Sequence, residues 1–227
     1  VVLKTKPWIR PWLSCEGRIV LASQSVGKER STMKTIRFAQ LSDAPALLSI
    51  YAHYVENSVI TFEYDVPSLE EFEGRMMKIQ REYPYLVCEL DQNIVGYAYA
   101  HRHMERAAYQ WNVEVSIYLL PQVQRRQIGT ALYTALLEIL KLQGLQTAIS
   151  CITLPNDASL ALHKSFGFTE IGVLRNAGYK FDAWRDVIWL QKALHEHPVP
   201  VQEWISIERL DYIRIMEIFH TTCMIII

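Results

Sequence analysis

Three groups of residues in this chain have the types and spacing that chemistry requires. The first is Gln124-Arg125-Arg126-Gln127-Ile128-Gly129-Thr130, which lies between an alternating stretch and a stretch of helical period. A helix N-terminus already carries unsatisfied N–H groups and partial positive charge. Two arginines there cost from a few tenths to about 1 kcal/mol each unless an anion is received. Strand, basic turn and helix start together describe a phosphate site. The second group is Asn156, Ser159 and His163, which form a polar stripe on a helix. Taken alone, His163 reads as a histidine closing a hydrogen bond at the domain edge. The third group is Asn112, Glu114, Ser116 and Tyr118, the polar side of the alternating stretch. An acidic strand residue, a phosphate turn and a helical histidine together turn the reading of His163 towards a site.

The elements that must position these residues follow from the hydrophobic period. Val113, Val115, Ile117 and Leu119 alternate with the polar set and predict a strand that Pro121 ends. Ile128, Leu132, Ala135, Leu136 and Ile139 then fall on one helical face, with Gly144 as the C-cap. Upstream, Thr35–Phe38 predicts a strand, and Asp43 is placed to cap a helix over 44–57 with Pro45 in its first turn. Ser68 caps a second helix, whose inward residues are Phe72, Met76 and Ile79. Tyr85–Leu90 and Ile94–His101 read as a hairpin around Asp91-Gln92-Asn93. Downstream come a strand at 147–153, a helix at 157–165, and strands at 168–175 and 184–191. The order β-α-α-β-β-β-α-β-α-β-β, without repeat or linker, predicts one α/β domain around a mixed central sheet flanked by helices.

Charge and composition narrow the function. Lysine and arginine (23) nearly balance aspartate and glutamate (24), so neither nucleic acid nor a membrane surface is an expected partner. No run of about 18 apolar residues is present. The four cysteines, Cys15, Cys88, Cys151 and Cys223, have no metal-ligand spacing; no metal is expected, and a reducing, cytoplasmic setting is. Residues 1–32 are basic, rich in tryptophan and aperiodic, and the expected natural start is Met33. The domain is expected over 33–197, leaving 198–227 as a tail. There Trp204, Ile207, Leu210, Ile213 and Met216 suit a short helix, while Ile213, Ile215 and Phe219 suit a strand.

The strand, basic turn and helix followed by Asn156-x-x-Ser159-x-x-x-His163-x-x-x-Gly167-Phe168 resembles the GNAT superfamily of N-acetyltransferases. Ala107–Ser116, Leu154–Asp157, Leu174–Lys180 and Trp184–Val187 extend the resemblance to its phosphinothricin and methionine sulfoximine acetyltransferase branch, over roughly residues 34–197. The resemblance implies a GNAT fold and acetyl-CoA as co-substrate. Its pyrophosphate would be held by the turn at Gln124, Arg125, Arg126, Gln127, Ile128, Gly129 and Thr130, although each arginine equally fits a solvated or ion-paired position. Gln127 stands where the family motif has its first glycine. Because glycine is needed only at positive φ or where a Cβ blocks the ligand, a glutamine in the first helical turn is expected to keep its N–H on the phosphate.

By the same resemblance Glu114 is the general base, acting through water. Backbone N–H groups at Val115, Ser116 and Ile117 stabilise the oxyanion where this strand splays from the next. His163 stands in for the general acid, and Asn156 and Ser159 contact the pantetheine arm or hold His163. Arg106 would pair with an acceptor carboxylate, and Phe62, Glu63 and Tyr109 would wall the amine pocket, Phe62 fitting the core equally well. Met104 replaces a basic residue of the branch, which weakens the case for a doubly anionic acceptor. The implied activity is acetyl transfer to the amino group of a small amino acid or analogue, in a homodimer. Alternatives are a protein N-terminal or lysine acetyltransferase, and a CoA-binding module without turnover.

Overall fold

A computed structural model describes residues 33–123 and 126–227. The element order is β1 (Lys34–Phe38), α1 (Ala44–Asn57), α2 (Leu69–Gln80), β2 (Tyr85–Leu90), β3 (Asn93–Arg102), β4 (Asn112–Leu119), α3 (Ile128–Leu142), β5 (Thr147–Thr153), α4 (Asp157–Ser165), β6 (Thr169–Lys180), β7 (Ala183–Ala193) and α5 (Tyr212–Cys223). Through β7 this is the predicted order. The strands form one seven-stranded sheet, ordered β1-β2-β3-β4-β5-β7-β6. All neighbours run antiparallel except β4 and β5, which are parallel.

Both faces of the sheet are covered, which accounts for the near-complete burial of β2. On one face α3 packs with α5, using Ile128, Leu132, Ala135, Leu136 and Ile139, all fully or almost fully buried. Ala98, Ala100, Val113 and Val115 supply the sheet side of that layer. On the other face α1 and α2 place Leu47, Ile50, Val55, Phe72 and Met76 over Val87 and Tyr97. The alternation read in β4 holds, and its polar side is half-buried beneath the α1/α2 layer.

Local signals set several boundaries. Ser68 accepts the Glu71 N–H and caps α2. Asp91 and Gln92 both have positive φ and form the two-residue turn of the β2–β3 hairpin; Phe181 and Asp182 do the same between β6 and β7. That second turn explains why the last two strands run longer than their hydrophobic pattern indicated. Gly144 sits at φ +81°, with its N–H on Lys141 O and the Leu145 N–H on Leu140 O, which closes α3.

Asp43 departs from expectation. It makes no side-chain cap to α1, which follows a short 3-10 turn over Leu41–Asp43. Its carboxylate accepts the Gln40 N–H (2.7 Å) and both terminal nitrogens of Arg37 (2.7 and 3.0 Å). Arg37 is half-buried against Glu89 as well, and a guanidinium held out of water recruits a carboxylate more strongly than an orphan helix N–H does.

The tail also differs. Trp204, Ile207 and Leu210 precede the helix, and Ile213 faces outward at 68% exposure. The face that packs is Ile215, Phe219, Thr222 and Cys223. Asp211 caps α5 through the Ile213 N–H (2.9 Å). The segment before α5 is bound along the domain by Trp111 Nε1–H to Gln202 O (2.8 Å), Ile205 N–H to Gln143 O (2.8 Å) and a Trp204 ring stacked on Tyr83. The expected extension over 1–32 lies outside the described residues.

Candidate active site

The site begins where two strands part. β4 and β5 pair only at Asn112–Thr147, Val113–Ala148 and Glu114–Ile149. Beyond Glu114 the ladder stops, so the edge of Val115, Ser116 and Ile117 facing β5 has no strand partner among the described residues. Unpaired strand edge is a row of N–H and C=O groups available to a ligand. The first turn of α3 closes the far end of this opening. A Cβ built on Gly129 would lie 3.4 Å from Leu119, 3.6 Å from Leu162 and 3.7 Å from Ile117, so β4, α3 and α4 meet there.

Helix α3 begins at Ile128. Its first backbone bond runs from Ala131 N–H to Gln127 O (2.9 Å). Among the described residues, the N–H groups of Ile128, Gly129 and Thr130 have no acceptor, as expected for the start of a helix. Gln127 sits just outside the helix, not in its first turn, at φ +58° and ψ 14°. That is a correction: the position is left-handed, so the conformational freedom of the glycine it replaces is wanted here. Arg126 is exposed beside it, and its carbonyl accepts the Ile227 N–H (3.2 Å). Gln124 and Arg125 lie outside the described residues.

Glu114 stands at the apex of the opening, on the α1/α2 face. Cross-strand register puts it beside His101, with Ser116 beside Tyr99 and Tyr118 beside Tyr97. Its side chain is 22% exposed, and Oε2 lies 3.5 Å from Nδ1 of His103. Along the same face, Tyr85, Tyr97 and Tyr99 stack with centroids 4.8 to 6.2 Å apart. Burial pushes the Tyr85 and Tyr97 phenols well above their usual range, and that of Tyr51 up to about 12. These rings therefore stay neutral as a floor.

Over that floor lies a cavity of about 690 Å³, bounded by α2 and rimmed by Glu63, Arg75, Arg102 and Glu105. Glu63 is ion-paired with Arg75. Phe62 is not a core residue: its ring lies over Gly178 of β6, where a Cβ would approach to 2.4 Å. The loop carrying both is fastened by Lys180, whose Nζ donates to Val55 O (2.7 Å) and Thr61 O (2.9 Å), and by the Tyr64 hydroxyl donating to Tyr179 O (2.6 Å). Arg106 and Tyr109 are exposed on the β3–β4 connection and do not line the cavity, whose wall on that connection is Glu105.

In the second polar stripe Ser159 holds His163, one of its two expected uses, while Asn156 caps the helix. Asn156 accepts the Ser159 N–H (3.2 Å) and is the cap of α4. His163 is 2% exposed, with the rings of Tyr133 and Phe168 edge-on to it and Phe166 packed against Tyr133. Its Nδ1 donates to Ser159 O (2.7 Å) and its Nε2 accepts from the Tyr133 hydroxyl (2.8 Å). Burial lowers its pKa, partly opposed by the Ser159 carbonyl. With both nitrogens used inside the protein, the ring has no proton to present to a ligand in this arrangement.

The sequence reading passed over His103, the tyrosine floor, Arg75 and Lys180. Tyr97-x-Tyr99-x-His101-x-His103 has a period of two, which was the available signal for an aromatic sheet face leading to Glu114.

Residues 36–189 match the family model described as an acetyltransferase (GNAT) domain. The chain is 38% identical over 165 residues to phosphinothricin N-acetyltransferase of Streptomyces viridochromogenes, covering 73% of this chain and 90% of that one. It is 30% identical over 170 residues to the L-methionine sulfoximine/L-methionine sulfone acetyltransferase of Salmonella typhimurium, covering 73% and 98%. A crystal structure of a GNAT superfamily phosphinothricin acetyltransferase from Sinorhizobium meliloti, in complex with acetyl-CoA, superposes with a TM-score of 0.72 at 31% identity, over 78% of this chain and 97% of that one.

Proposed function

The chain belongs to the GNAT acetyltransferase family, and from that premise we propose that it transfers acetyl from acetyl-CoA to the amino group of a small amino acid or close analogue, with Glu114 as general base. The observation that carries this reading is the end of β4–β5 pairing at Glu114 and Ile149. It leaves an opening with unpartnered strand edge on one side, helix donors at its far end and a carboxylate at its apex.

Acetyl-CoA supplies an activated acetyl group as a thioester. The N–H groups of Ile128, Gly129 and Thr130 suit its pyrophosphate, with Arg126 adding side-chain charge. The acceptor enters from the other end, over the cavity, where Arg106 meets its carboxylate and Glu63 and Phe62 wall the approach. Glu114, directly or through water, removes a proton from the acceptor ammonium. The freed lone pair forms the new C–N bond, and strand N–H groups near Val115 to Ile117 hold the charge that gathers on the carbonyl oxygen. As the C–S bond breaks the nitrogen loses its second proton, the leaving thiolate takes up one, and the proton first removed by Glu114 is the one released per turnover.

Both nitrogens of His163 are engaged, which supports a positioning role that fastens α4 to α3 in place of the acid role the family pattern implied. Met104 is 45% exposed beside Arg106, and one cation there suits a singly charged acceptor group better than a phosphinate plus carboxylate.

The test is release of free CoA thiol from acetyl-CoA across a panel of L-amino acids, L-methionine sulfone, L-methionine sulfoximine, phosphinothricin and short peptides, with products identified by mass. N-acetylation of free amino acids or their sulfone and sulfoximine analogues is expected. Acetylation of peptides in preference to every free amino acid, or binding of acetyl-CoA with no acceptor turned over, would overturn the proposal.

A further inference from the structure

One residue close to the carboxylate of Glu114 that no part of the mechanism has used is His103. It stands one residue beyond the end of β3 and diagonal to Glu114, a separation long side chains can bridge. Only 10% of its side chain is exposed. Its backbone N–H points at Asn112 O (3.5 Å), and the imidazole meets the Trp189 ring of β7 edge-on at 5.6 Å. The ring is thus held from both sides of β4. Among the described residues Nδ1 is nonetheless a buried nitrogen with no hydrogen-bond partner, and the carboxylate oxygen Glu114 Oε2 lies 3.5 Å away.

A buried polar atom without a partner is unusual and calls for an explanation. Here the nearest acceptor is also the group assigned as base. A charge-assisted N–H···O bond settles at roughly 2.7 to 2.9 Å, and contacts in catalytic sites are commonly long without substrate and tighten when it binds.

We propose that His103 is a positioning residue for acetyl transfer: its Nδ1–H holds Oε2 of Glu114 and leaves the second carboxylate oxygen turned towards the acceptor amine. The inference rests on the reading of Glu114 as base. It requires the Nδ1–H form of the ring and no charge on it, so the histidine orients the carboxylate without taking its proton. It also joins two parts of the site. His103 and Arg106 share the β3–β4 connection, so a carboxylate drawn to Arg106 and an amine presented to Glu114 are registered by one short segment.

Two measurements test this. In protein labelled with 15N-histidine, the His103 signals, assigned by their loss in His103→Asn, should show the proton on Nδ1, and Glu114→Ala should remove that preference. A proton on Nε2 in the unaltered protein would overturn the proposal whatever the acceptor. In steady-state assays with acetyl-CoA and L-methionine sulfoximine, His103→Phe keeps the ring against Trp189 but removes the donor. It should lower kcat by about 10- to 100-fold, the scale of a misplaced catalytic group, with the KM for acetyl-CoA unchanged. His103→Asn, whose amide reaches the place of Nδ1, should recover most of that loss. Equal loss in both variants would mark His103 as packing only. Glu114→Gln separates the two readings. If it is inactive while His103→Phe is fully active, the role of His103 falls; if it is fully active, the assignment of the base falls.

Discussion

Replacing Gln127 with glycine perturbs a single backbone angle and little else. At φ +58° and ψ 14° the residue occupies the left-handed region, immediately before the first turn of α3. For a residue with a Cβ that conformation costs roughly 1–2 kcal/mol, and glycine is free of it. Against this, glycine gives the unfolded chain more freedom, worth about 0.5–1 kcal/mol. The Gln127 side chain makes no cap to the helix, so its removal forfeits no bond there. The difference leaves a gain of up to about 1.5 kcal/mol, centred on about 0.75, or up to about 6 °C in Tm for a chain of this size. Thermal and urea unfolding of Gln127→Gly beside Gln127→Ala and Gln127→Val measure it. Glycine should raise stability, alanine should be near neutral, and valine should lower it because β-branched residues tolerate positive φ least. Acetyl-CoA affinity measured calorimetrically should stay within a few-fold for Gln127→Gly, since the N–H groups of Ile128, Gly129 and Thr130 keep their direction. A glycine variant less stable than the unaltered protein would refute the account of this turn.

Three further outcomes are expected. Arg106→Ala should raise the acceptor KM by about 10- to 100-fold, the value of a charged hydrogen bond of roughly 1.5–3 kcal/mol, with acetyl-CoA KM little changed; parallel loss for both substrates would remove its proposed role. Lys180→Met strands the carbonyls of Val55 and Thr61 and should lower stability by about 1–3 kcal/mol, raising acceptor KM more than acetyl-CoA KM because the loop of Phe62 and Glu63 loosens. His163 is held neutral, so its contribution to stability is present above the unfolded imidazole value of about 6.5 and is lost as pH falls through and below it. Urea titrations should show that decline in the unaltered protein, and its absence in His163→Gln; identical slopes would sink the assignment.

How far the sequence reached can be followed residue by residue. Alternation in Val113–Leu119 and the helical period from Ile128 survive because each element buries the face its own pattern marks. Asp43 misled because its cap competes with Arg37 and Glu89, which are distant in the chain and close in space. The stripe of Asn156, Ser159 and His163 was visible, but what surrounds His163 comes from Tyr133 on α3, with Phe166 packed against it, and from Phe168 beyond α4. No local pattern encodes that enclosure. His103 lies one residue past a strand end, where periodicity no longer says which way a side chain points, and only the register of β3 with β4 brings it to Glu114.

Helix α5 draws a boundary of its own. Ile36 of the edge strand donates to Cys223 Sγ (3.1 Å), Lys34 Nζ donates to Ile226 O (2.7 Å), and the Ile227 N–H reaches Arg126 O (3.2 Å) on the turn before α3. The family match ends at residue 189. Packing therefore carries the folded body past the stretch that the family model matches. Cutting the chain after residue 189 would uncover the hydrophobic side of α3 and free the turn before it in one stroke. Inheritance marks where the chemistry came from; packing marks what must be kept for the chain to hold it still.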